Sequence, residues 1–519
     1  MALDPVVSIS QTGVLQGFTT GPSVYSYIVT ALLLGIVAYR SRDKYPDLPW
    51  LNPKGPTQLT ASKQRAEFFA NPRQTLREGT KRFKEQPYKL HTEHGPVVIL
   101  PHKYVNELKS NRDLDFMEPG KEITHAHLPG FDPLNTPPEL PQIINKHLTK
   151  ALLSLTQPIS LETTQALKDV FTETKDWMEI NPGHIMLIVS RMSSRIFMGE
   201  ELCRDQEWIR ASSDYVAHAF RQTAFLSSWP ASLRRIVHWV HPDSLAVREK
   251  LQRCRKVLEP HLAKRQAVIQ EAQACGKQSP FDDSIEWFNT EVQGKKPDPA
   301  SAQIALSLVA IHTTSDLLMQ TMTDIAKSPE LFAPLRQEAI ETLSNFGLKK
   351  TAFQKLVLMD SCFKESQRIR PVMNTYFLRK VLKDTTLNDG FVIKKGTKVS
   401  TDSNLMMDEN IYPDPHRYNP YRFTEMRQNG NENKAHLVSV SPTHFGFGHG
   451  IHACPGRFFA ANEVKIALAH MLLKYDWKLA EGTAELEGVQ NGINYNVNPN
   501  IKLLIRRRRE ELDLESLEF

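Results

Sequence analysis

Residues 447–457, which read FGHGIHACPGR, constrain this chain more than any other stretch. A loop loosened by Gly448 and Gly450 presents one cysteine, Cys454, and leads into a segment whose apolar residues recur at helical spacing. A thiolate just before a helix N-terminus is stabilised by the helix dipole and by unpaired backbone N–H groups. A lone cysteine in a long chain is more often an inert core residue. Glycines that let the backbone lie against a flat group favour a ligand here.

The full pattern, F-x-x-G-x-H-x-C-x-G, resembles the haem signature of the cytochrome P450 family. It is matched at Phe447, Gly450, His452, Cys454 and Gly456. The resemblance implies that Cys454 is the axial ligand of haem b iron. It also implies that the other four residues bind the cofactor. His452, which stands where many members carry arginine, would hold a haem propionate.

The N-terminal part of the sequence predicts a membrane anchor. Residues 1–21 form a short segment without Lys or Arg, and residues 22–39 are an uncharged apolar run of about the 17–25 residues that span a bilayer. Arg40, Arg42 and Lys44 follow, so the positive-inside rule places the downstream chain in the cytosol. A cleaved signal peptide is the alternative, but a positive n-region and an A-x-A-like site are missing.

Proline-rich residues 40–56 resemble the hinge of microsomal P450s, and residues 57–519 are expected to form one catalytic domain. The resemblance implies a single-pass protein of the endoplasmic reticulum membrane whose catalytic domain faces the cytosol. Five widely spaced cysteines without zinc spacing indicate a reducing compartment. The net charge is +6, and the dense basic run 506–509 is followed at once by acidic residues. We interpret that run as a solvated tail and expect no nucleic-acid partner.

A long apolar stretch, residues 301–327, predicts a helix of roughly 40 Å that crosses the domain. At its centre, Ala310-Ile311-His312-Thr313-Thr314 resembles the family's oxygen-activating motif A/G-G-x-D/E-T-T. Ala310 then replaces glycine and lines the substrate pocket, and His312 replaces the acid. The resemblance implies catalytic roles for Thr313 and His312. A structural alternative stays open for each residue. The hydroxyl of Thr313 can bond the backbone carbonyl one turn back, as mid-helix threonines often do. His312 can be a core histidine whose ring nitrogens are satisfied by hydrogen bonds.

Glu365 and Arg368 stand three residues apart on a predicted helix, so they can pair on one face. Such pairs usually decorate a surface and contribute little. The family has an E-x-x-R pair here, buried behind the haem with a later arginine, which Arg422 matches. The resemblance therefore implies a structural role for all three residues, namely fixing the loop that carries Cys454.

The substrate contacts and one further haem contact are predicted from the family resemblance alone. Residues 113–140, rich in Pro, Gly and His, predict a loop over the haem, with Phe116 as a pocket residue. Val372 and Met373, just after Arg368, would pass beside the haem and also line the pocket. Lys146, which opens the next helix, would reach a haem propionate, although the Trp/Arg pair usual there is absent.

Several local patterns predict secondary structure. Residues 160–270 are expected to be mainly helical. The apolar cluster at 229–240 is expected to pack between two of these helices, and contact with a membrane is the alternative. Asn71 and Pro72 predict a helix start, and Thr351 with Gln354 predicts a capping box. Residues 88–91 and 97–100 predict a hairpin.

Together these patterns predict a mainly helical P450 fold with a smaller β-rich part, preceded by one transmembrane helix. We expect a haem-thiolate monooxygenase that hydroxylates or epoxidises a lipophilic small molecule with O2. Because the sequence carries no flavin or nicotinamide fingerprint, its electrons would come from NADPH through a membrane-bound cytochrome P450 reductase. The motif style resembles fungal members that oxidise terpenoids or indole-terpenoids in secondary metabolism. Two alternatives remain: a same-fold isomerase or dehydratase that needs no reductase, and a haem-based binding or sensing protein.

Overall fold

The computed structural model describes residues 43–58, 60–294, 296 and 298–518. The chain divides into two units, Met1–Pro49 and Trp50–Phe519. In the first, the backbone N–H of Leu48 donates to the carbonyl of Tyr45 over 3.2 Å. The predicted segments 1–21 and 22–39 lie outside the described residues. The fold below is that of the second unit.

Helices make up most of the second unit. In chain order they are α1 Ser62–Ala70, α2 Pro72–Phe83, α3 Val105–Leu108, α4 Met117–Thr124, α5 Leu140–Ile143, α6 Leu152–Phe171, α7 Pro182–Cys203, α8 Gln206–Ser228, α9 Ala231–Val240, α10 Pro242–Ala274, α11 Ser284–Glu291, α12 Pro299–Lys327, α13 Phe332–Phe346, α14 Lys350–Lys355, α15 Val357–Ile369, α16 Arg422–Met426, α17 Glu432–Ala435 and α18 Arg457–Lys474. Residues 160–270 are thus mainly helical, as the sequence predicts.

The strands form a smaller part. They are β1 Tyr88–Thr92, β2 Gly95–Ile99, β3 Leu114–Asp115, β4 Met178–Ile180, β5 Thr375–Val381, β6 Thr385–Thr386, β7 Val392–Ile393, β8 Lys398–Asp402, β9 Tyr475–Leu479, β10 Val489–Asn491, β11 Asn494–Asn496 and β12 Leu503–Arg507. One sheet has the order β1-β2-β8-β5-β3, another β4-β12-β9, and two hairpins pair β6 with β7 and β10 with β11. The predicted hairpin is β1–β2, in which Tyr88 pairs with Ile99. Trp50 joins this sheet through a bridge to Lys89 and stacks on His91 at 4.0 Å.

Helix α12 is the central element of the core, as its apolar sequence predicts. Asp298 caps its N-terminus by accepting from the N–H of Ser301 over 3.0 Å, and Pro299 occupies the first turn. It packs against α7, α15 and α18 within the main hydrophobic cluster. Among the described residues it is also the one helix long and apolar enough to cross a membrane. Because 67% of that apolar window is buried inside the protein, α12 is a core helix.

Two local predictions about helix starts have different outcomes. Asn71 is the N-cap residue of α2 and Pro72 its first residue, although the Asn71 side chain makes no capping bond. The predicted capping box of Thr351 and Gln354 is wrong. Helix α14 begins at Lys350 with no side-chain cap, so Thr351 already lies inside the first turn, and a break at Leu356 separates α14 from α15.

Two segments contain regular structure that the sequence analysis does not predict. Residues 113–140, predicted as a loop, contain β3 and α4, and Leu128 and Phe131 are buried. The basic run 506–509 is no free tail, because Arg506 and Arg507 belong to β12, paired with β9. Sequence spacing misses this pairing because the partner strand lies about 30 residues away.

The apolar cluster at 229–240 is exposed, so the prediction that it packs between helices is wrong. Ile236 and Val240 are 62% and 70% exposed, and Leu233 and Trp239 also face outward. The buried residue of α9 is His238. Helix α9 therefore turns a polar residue inward and an apolar face outward, an arrangement that periodicity alone cannot reveal.

Candidate functional site

The Cys454 loop is a closed turn that ends at a helix. The N–H of Cys454 donates to the carbonyl of Phe447 over 2.8 Å, and the N–H of Gly448 donates to Phe445 over 2.8 Å. Helix α18 begins three residues after Cys454. Phe447 packs against the main hydrophobic cluster. This backbone closure holds the cysteine at the start of a buried helix, where the sequence predicts it.

The thiol of Cys454 is partly buried, and its surroundings act on its pKa in two directions. Burial raises the pKa, whereas backbone N–H groups of Gly456 and Arg457 and the Arg457 guanidinium lower it. The expected low-pKa thiolate is therefore not intrinsic to the loop. A coordinated metal ion deprotonates a thiol outright, and the two amide hydrogens then stabilise the anion.

The structure gives a reason for glycine at position 450 that differs from the one predicted from the sequence. It adopts φ +75°, and a Cβ built on it would lie 2.0 Å from the carbonyl oxygen of Lys109. The next residue, Ile451, donates its N–H to that same oxygen over 3.0 Å. The glycine thus lets the loop dock against the chain after α3. Only at Gly456 does an added Cβ approach the sulfur, at 4.0 Å.

A cationic corner lies beside this loop. His452 lies near Asp115 and Arg379, and its ring is 6.0 Å from that of Phe116. The guanidinium carbon of Arg379 lies 4.7 Å above the centre of the Phe116 ring. Burial lowers the pKa of Arg379 to about 10 and also lowers that of His452. Phe116, predicted as a substrate contact, is therefore part of this corner and is 48% exposed.

Sequence reasoning misses Arg379, although a signal exists. The residue lies in β5, whose sequence is TYFLRKV and in which Tyr376, Leu378 and Val381 are buried as well. A buried arginine in such a strand needs an anionic partner. Its neighbourhood depends on the pairing of β5 with β3 and β8, which no local pattern predicts.

The centre of α12 presents one face with accessible side chains. Val309 is 47% exposed and Thr313, four residues later, is exposed as well, whereas Ile311 and Thr314 are buried. The Thr313 hydroxyl donates to the carbonyl of Val309 over 3.3 Å, the ordinary bond of a helical threonine. Such a long bond leaves the hydroxyl able to take another partner on this face.

The other two motif residues on α12 differ from each other. Ala310 packs at the edge of the main hydrophobic cluster. The side chain of His312 is exposed like that of Thr313, so His312 is not a core histidine. Desolvation by the surrounding protein lowers the pKa of its imidazole, which in the neutral form can donate from one nitrogen and accept at the other.

Glu365, Arg368 and Arg422 form one fully or largely buried cluster. Arg368 donates from Nε and Nη2 to the two carboxylate oxygens of Glu365, each over 2.8 Å. Arg422 Nε lies 3.1 Å from both oxygens. The arginines also donate to the carbonyls of Met406 and Pro413 over 2.7 Å. The cluster thus ties α15 to the segment that precedes α16.

The same helix holds the loop that leads to Cys454. A Cβ on Gly446 would lie 1.9 Å from the side-chain oxygen of Gln367, so α15 and the loop are in direct contact. Lys364 donates to the carbonyls of His436 and Ser439 over 2.7 and 3.0 Å. Helix α15 therefore connects the buried ion cluster with the approach to the cysteine.

The remaining predicted residues lie in two places. The ammonium of Lys146 lies 2.5 Å from the Glu291 carboxylate on α11, which His147 also contacts. Its predicted role at a propionate stays a prediction. The backbone carbonyl of Val372 accepts the N–H of Tyr495 over 2.8 Å, and Met373 forms an isolated antiparallel β-bridge with Asn494. The β10–β11 hairpin thus lies beside both predicted substrate contacts.

The family model for cytochrome P450 matches residues 61–502. The chain belongs to the cytochrome P450 family. It is 45% identical to the cytochrome P450 monooxygenase eqxH of Fusarium heterosporum over 94% of this chain and 96% of that protein. It is 37% identical to the cytochrome P450 monooxygenase hepE of Aspergillus oryzae, covering 98% and 96%. Such identities over nearly whole chains make it a P450 monooxygenase.

Solved structures show the same P450 fold. The retinoic acid-bound cyanobacterial CYP120A1 has a TM-score of 0.63 and 16% identity, over 89% of this chain and 98% of that one. The cytochrome P450 CYP102L1 has a TM-score of 0.64 and 18% identity, over 89% and 100%. At these identities the likeness establishes the fold alone.

Family membership implies haem with thiolate-bound iron, and the residues of this P450 fit that group. No cluster of three or more His, Cys, Asp or Glu within the described ranges could hold a metal ion, whereas haem iron needs only one protein thiolate on that side. The amide hydrogens at Cys454 match a thiolate ligand. Buried Arg379 with His452 matches the negative charge of propionates.

Proposed function

We propose that this P450 oxidises a lipophilic small molecule of fungal secondary metabolism, with O2 and with electrons that NADPH supplies through cytochrome P450 reductase.

 The observation that carries the proposal is the Cys454 thiol, which accepts the N–H groups of Gly456 and Arg457 at the start of α18. With its thiolate ligand, haem supplies the activation of O2 for insertion of one oxygen atom into the substrate. Relatives such as eqxH and hepE are named monooxygenases, which supports this activity over an isomerase or a sensor.

We propose the following roles for residues of this chain in haem binding, proton transfer and structural support. Cys454 would provide the thiolate that binds the haem iron, and Arg379 with His452 would hold the propionates by charge-assisted hydrogen bonds. The Thr313 hydroxyl, on the accessible face of α12, would hold a water and pass protons. Glu365, with its two arginines, keeps α15 and the cysteine loop in register.

A lipophilic substrate is supported by the apolar side chains around this site. Val309, Phe116 and Met373 are large apolar residues that are between 37% and 48% exposed, and they come from three separate segments of the chain. We infer that they line the substrate pocket together with Ala310 and Val372. A terpenoid or indole-terpenoid remains our proposed class, because a fused hydrocarbon skeleton matches apolar surfaces with few polar groups.

The outward face of α9 supports a membrane partner. Leu233, Ile236, Trp239 and Val240 present apolar area to solvent, and Arg234 and Arg235 flank it. Tryptophan and arginine beside aliphatic residues are typical of helices that lie in a bilayer interface. We propose that α9 contacts the endoplasmic reticulum membrane, in addition to the anchor predicted at residues 22–39.

The test uses full-length protein in microsomes or nanodiscs with cytochrome P450 reductase, NADPH, O2 and a panel of terpenoids. We expect a reduced CO complex with the red-shifted Soret band of thiolate ligation, and an oxygenated product that requires both reductase and NADPH. Cys454→Ser should lose that band, whereas Cys275→Ser, an exposed cysteine, should keep it. Turnover without reductase would favour the isomerase alternative, and ligand binding without turnover the sensor.

A further inference from the structure

A polar groove lies outside the site described above. Its volume is about 1120 Å³, and it runs between α2, the C-terminal half of α12 and the β10–β11 hairpin. Polar and charged side chains line it, among them Arg73, Arg77, Gln320, Thr323, Asp324 and Arg370. A space of this size with such a lining holds water.

A chain of hydrogen bonds leads from the groove into the protein. Arg370 donates from Nη2 to Asp324 and from Nε to the side-chain oxygen of Gln320, the latter over 3.1 Å. The amide nitrogen of Gln320 in turn donates to Oδ2 of Asp316. Arg370, Asp324 and Gln320 of the groove are thus connected to Asp316, which lies one turn before Gln320 on α12.

Asp316 is held on its other side by the segment after β11. The N–H of Val497 donates to Oδ1 over 2.5 Å, and the residue is only 7% exposed. Burial raises the pKa of Asp316 to about 6, against the lowering effects of the Val497 and Gln320 hydrogen bonds and of Arg370, the charged group that faces it from the end of α15. The carboxyl group can therefore gain and lose a proton near neutral pH.

The position of Asp316 on α12 connects this network to the site. It follows Thr313 by three residues and His312 by four, and residues at these spacings are neighbours on a helix surface. The position before Thr313, which carries an acid in the resembling motif, is His312 here, and desolvation lowers the pKa of its imidazole. Asp316 is the carboxyl group that α12 places within one turn of Thr313.

We propose that Asp316 relays protons from the groove to the Thr313 side of α12. The Asp316 carboxyl donates its proton to the oxygen of the Thr313 hydroxyl, directly or through one water, while that hydroxyl gives its own proton to a water on the accessible face of α12. The Asp316 carboxylate then regains a proton from groove water. No electrons move in this step. The proposal rests on the proposed function. The competing explanation is that Asp316 only tethers Val497 to α12.

The matched variants are Asp316→Asn and Thr323→Val. An asparagine still accepts the Val497 N–H through its side-chain oxygen but cannot supply a proton, so the tether is kept and the relay is lost. Thr323 also lines the groove on α12, but its hydroxyl bonds the carbonyl of Met319 over 2.8 Å within the helix. The full-length holoenzyme is used throughout, and Asp316→Glu restores a carboxyl group if the asparagine variant does not fold.

The first measurement is an infrared difference titration of the carboxyl C=O stretch. We expect a band that titrates near pH 6 in the wild type and in Thr323→Val, and that is absent from Asp316→Asn. A tether alone predicts an ionised carboxylate across pH 5–8 and no such band. A band that persists in Asp316→Asn would also overturn the proposal.

The second measurement is product formed per NADPH consumed between pH 5 and 8. In the wild type this ratio should fall as pH rises through about 6, because the proton donor is lost. In Asp316→Asn it should be low and flat, with product formation reduced by ~10²-fold, the lower end of what positioned proton transfer contributes. Full coupling in Asp316→Asn would overturn the relay. Absence of product from wild-type protein would instead count against the proposed function, and the infrared band would still decide the role of Asp316.

Discussion

Arg379 lies over the ring of Phe116, with its guanidinium carbon 4.7 Å from the ring centre, and both residues neighbour His452. The corner thus combines a cation, an aromatic face and an imidazole beside the loop of Cys454. A guanidinium stacked in this way is oriented before any anion arrives, so less entropy is lost on binding.

We expect Arg379→Ala to lower haem content without unfolding the protein, because the propionates would lose their strongest cationic partner. The ratio of haem to protein measures this. Lys383→Ala is the control, since Lys383 follows β5 and its side chain is 70% exposed. A fully haem-loaded Arg379→Ala protein would show that the arginine serves only to pack Phe116.

Glu365→Ala should prevent accumulation of haem-loaded protein. Removing the carboxylate leaves Arg368, which is fully buried, without its counter-charge, and breaking a buried pair on one side costs about 3–5 kcal/mol. The yield and the unfolding midpoint provide the measurement. Glu67→Ala, in an exposed pair with Lys63, should change stability by about 0.5 kcal/mol or less. A stable, loaded Glu365→Ala protein with merely slower turnover is the contrary result.

Thr313→Ala should keep haem and substrate binding but divert NADPH consumption to hydrogen peroxide. The hydroxyl lies on the accessible face of α12, whereas that of Thr314 is buried, so Thr314→Ala should have much less effect. Product and peroxide are assayed in parallel, and product per NADPH should fall by ~10²-fold in Thr313→Ala. If only the Thr314 variant uncouples, the active face of the helix has been assigned one residue out of register.

Glu463 should make the protein less stable as pH rises. Burial raises its pKa from 4.5 to about 8, and its Oε1 accepts a hydrogen bond from Ser193 over 2.7 Å. Between these values the unfolded state binds fewer protons than the folded state, so the free energy of unfolding falls with increasing pH from about 4.5 to about 8. Glu463→Gln should remove this slope in thermal unfolding scans at pH 5 and pH 8. An unchanged slope would show that Glu463 is ionised when folded.

The exposed face of α9 should enter lipid. In a Cys275→Ser background, Ile236→Cys carries an environment-sensitive fluorophore, and we expect a blue shift when the full-length protein is in vesicles. Val268→Cys on α10, also an exposed apolar position, is the matched control and should show no shift. Equal spectra at the two positions would contradict membrane contact by α9.

Local patterns in the sequence predict the elements that carry the chemistry. The cysteine loop before α18, the long helix α12 and the spacing of Glu365 and Arg368 are all readable, because each depends on residues close together in the chain. Arg379 and Asp316 could not be found in this way. Arg379 depends on the pairing of β5 with β3 and β8, and Asp316 bonds Val497, which lies 181 residues away.

The periodicity of apolar residues also does not tell which side of a helix is buried in the protein. Helix α9 has an apolar side and a polar side, and the sequence alone suggests that the apolar side is buried. The structure instead buries His238 and leaves the apolar side exposed. The proposed contact of that side with lipid would account for this arrangement. Likewise, the sequence predicts that Gly450 makes space for a flat cofactor, whereas in the structure its close neighbour is the backbone of Lys109.

That contact at Lys109 limits how this enzyme can be recombined with its relatives. The carbonyl that meets Gly450 belongs to the chain just before residues 113–140, the segment that carries Phe116. A chimera that exchanges this segment to alter substrate choice should therefore place its junction after Lys109. A junction upstream would place a foreign backbone against the cysteine loop, and any displacement there would shift Cys454, the proposed iron ligand.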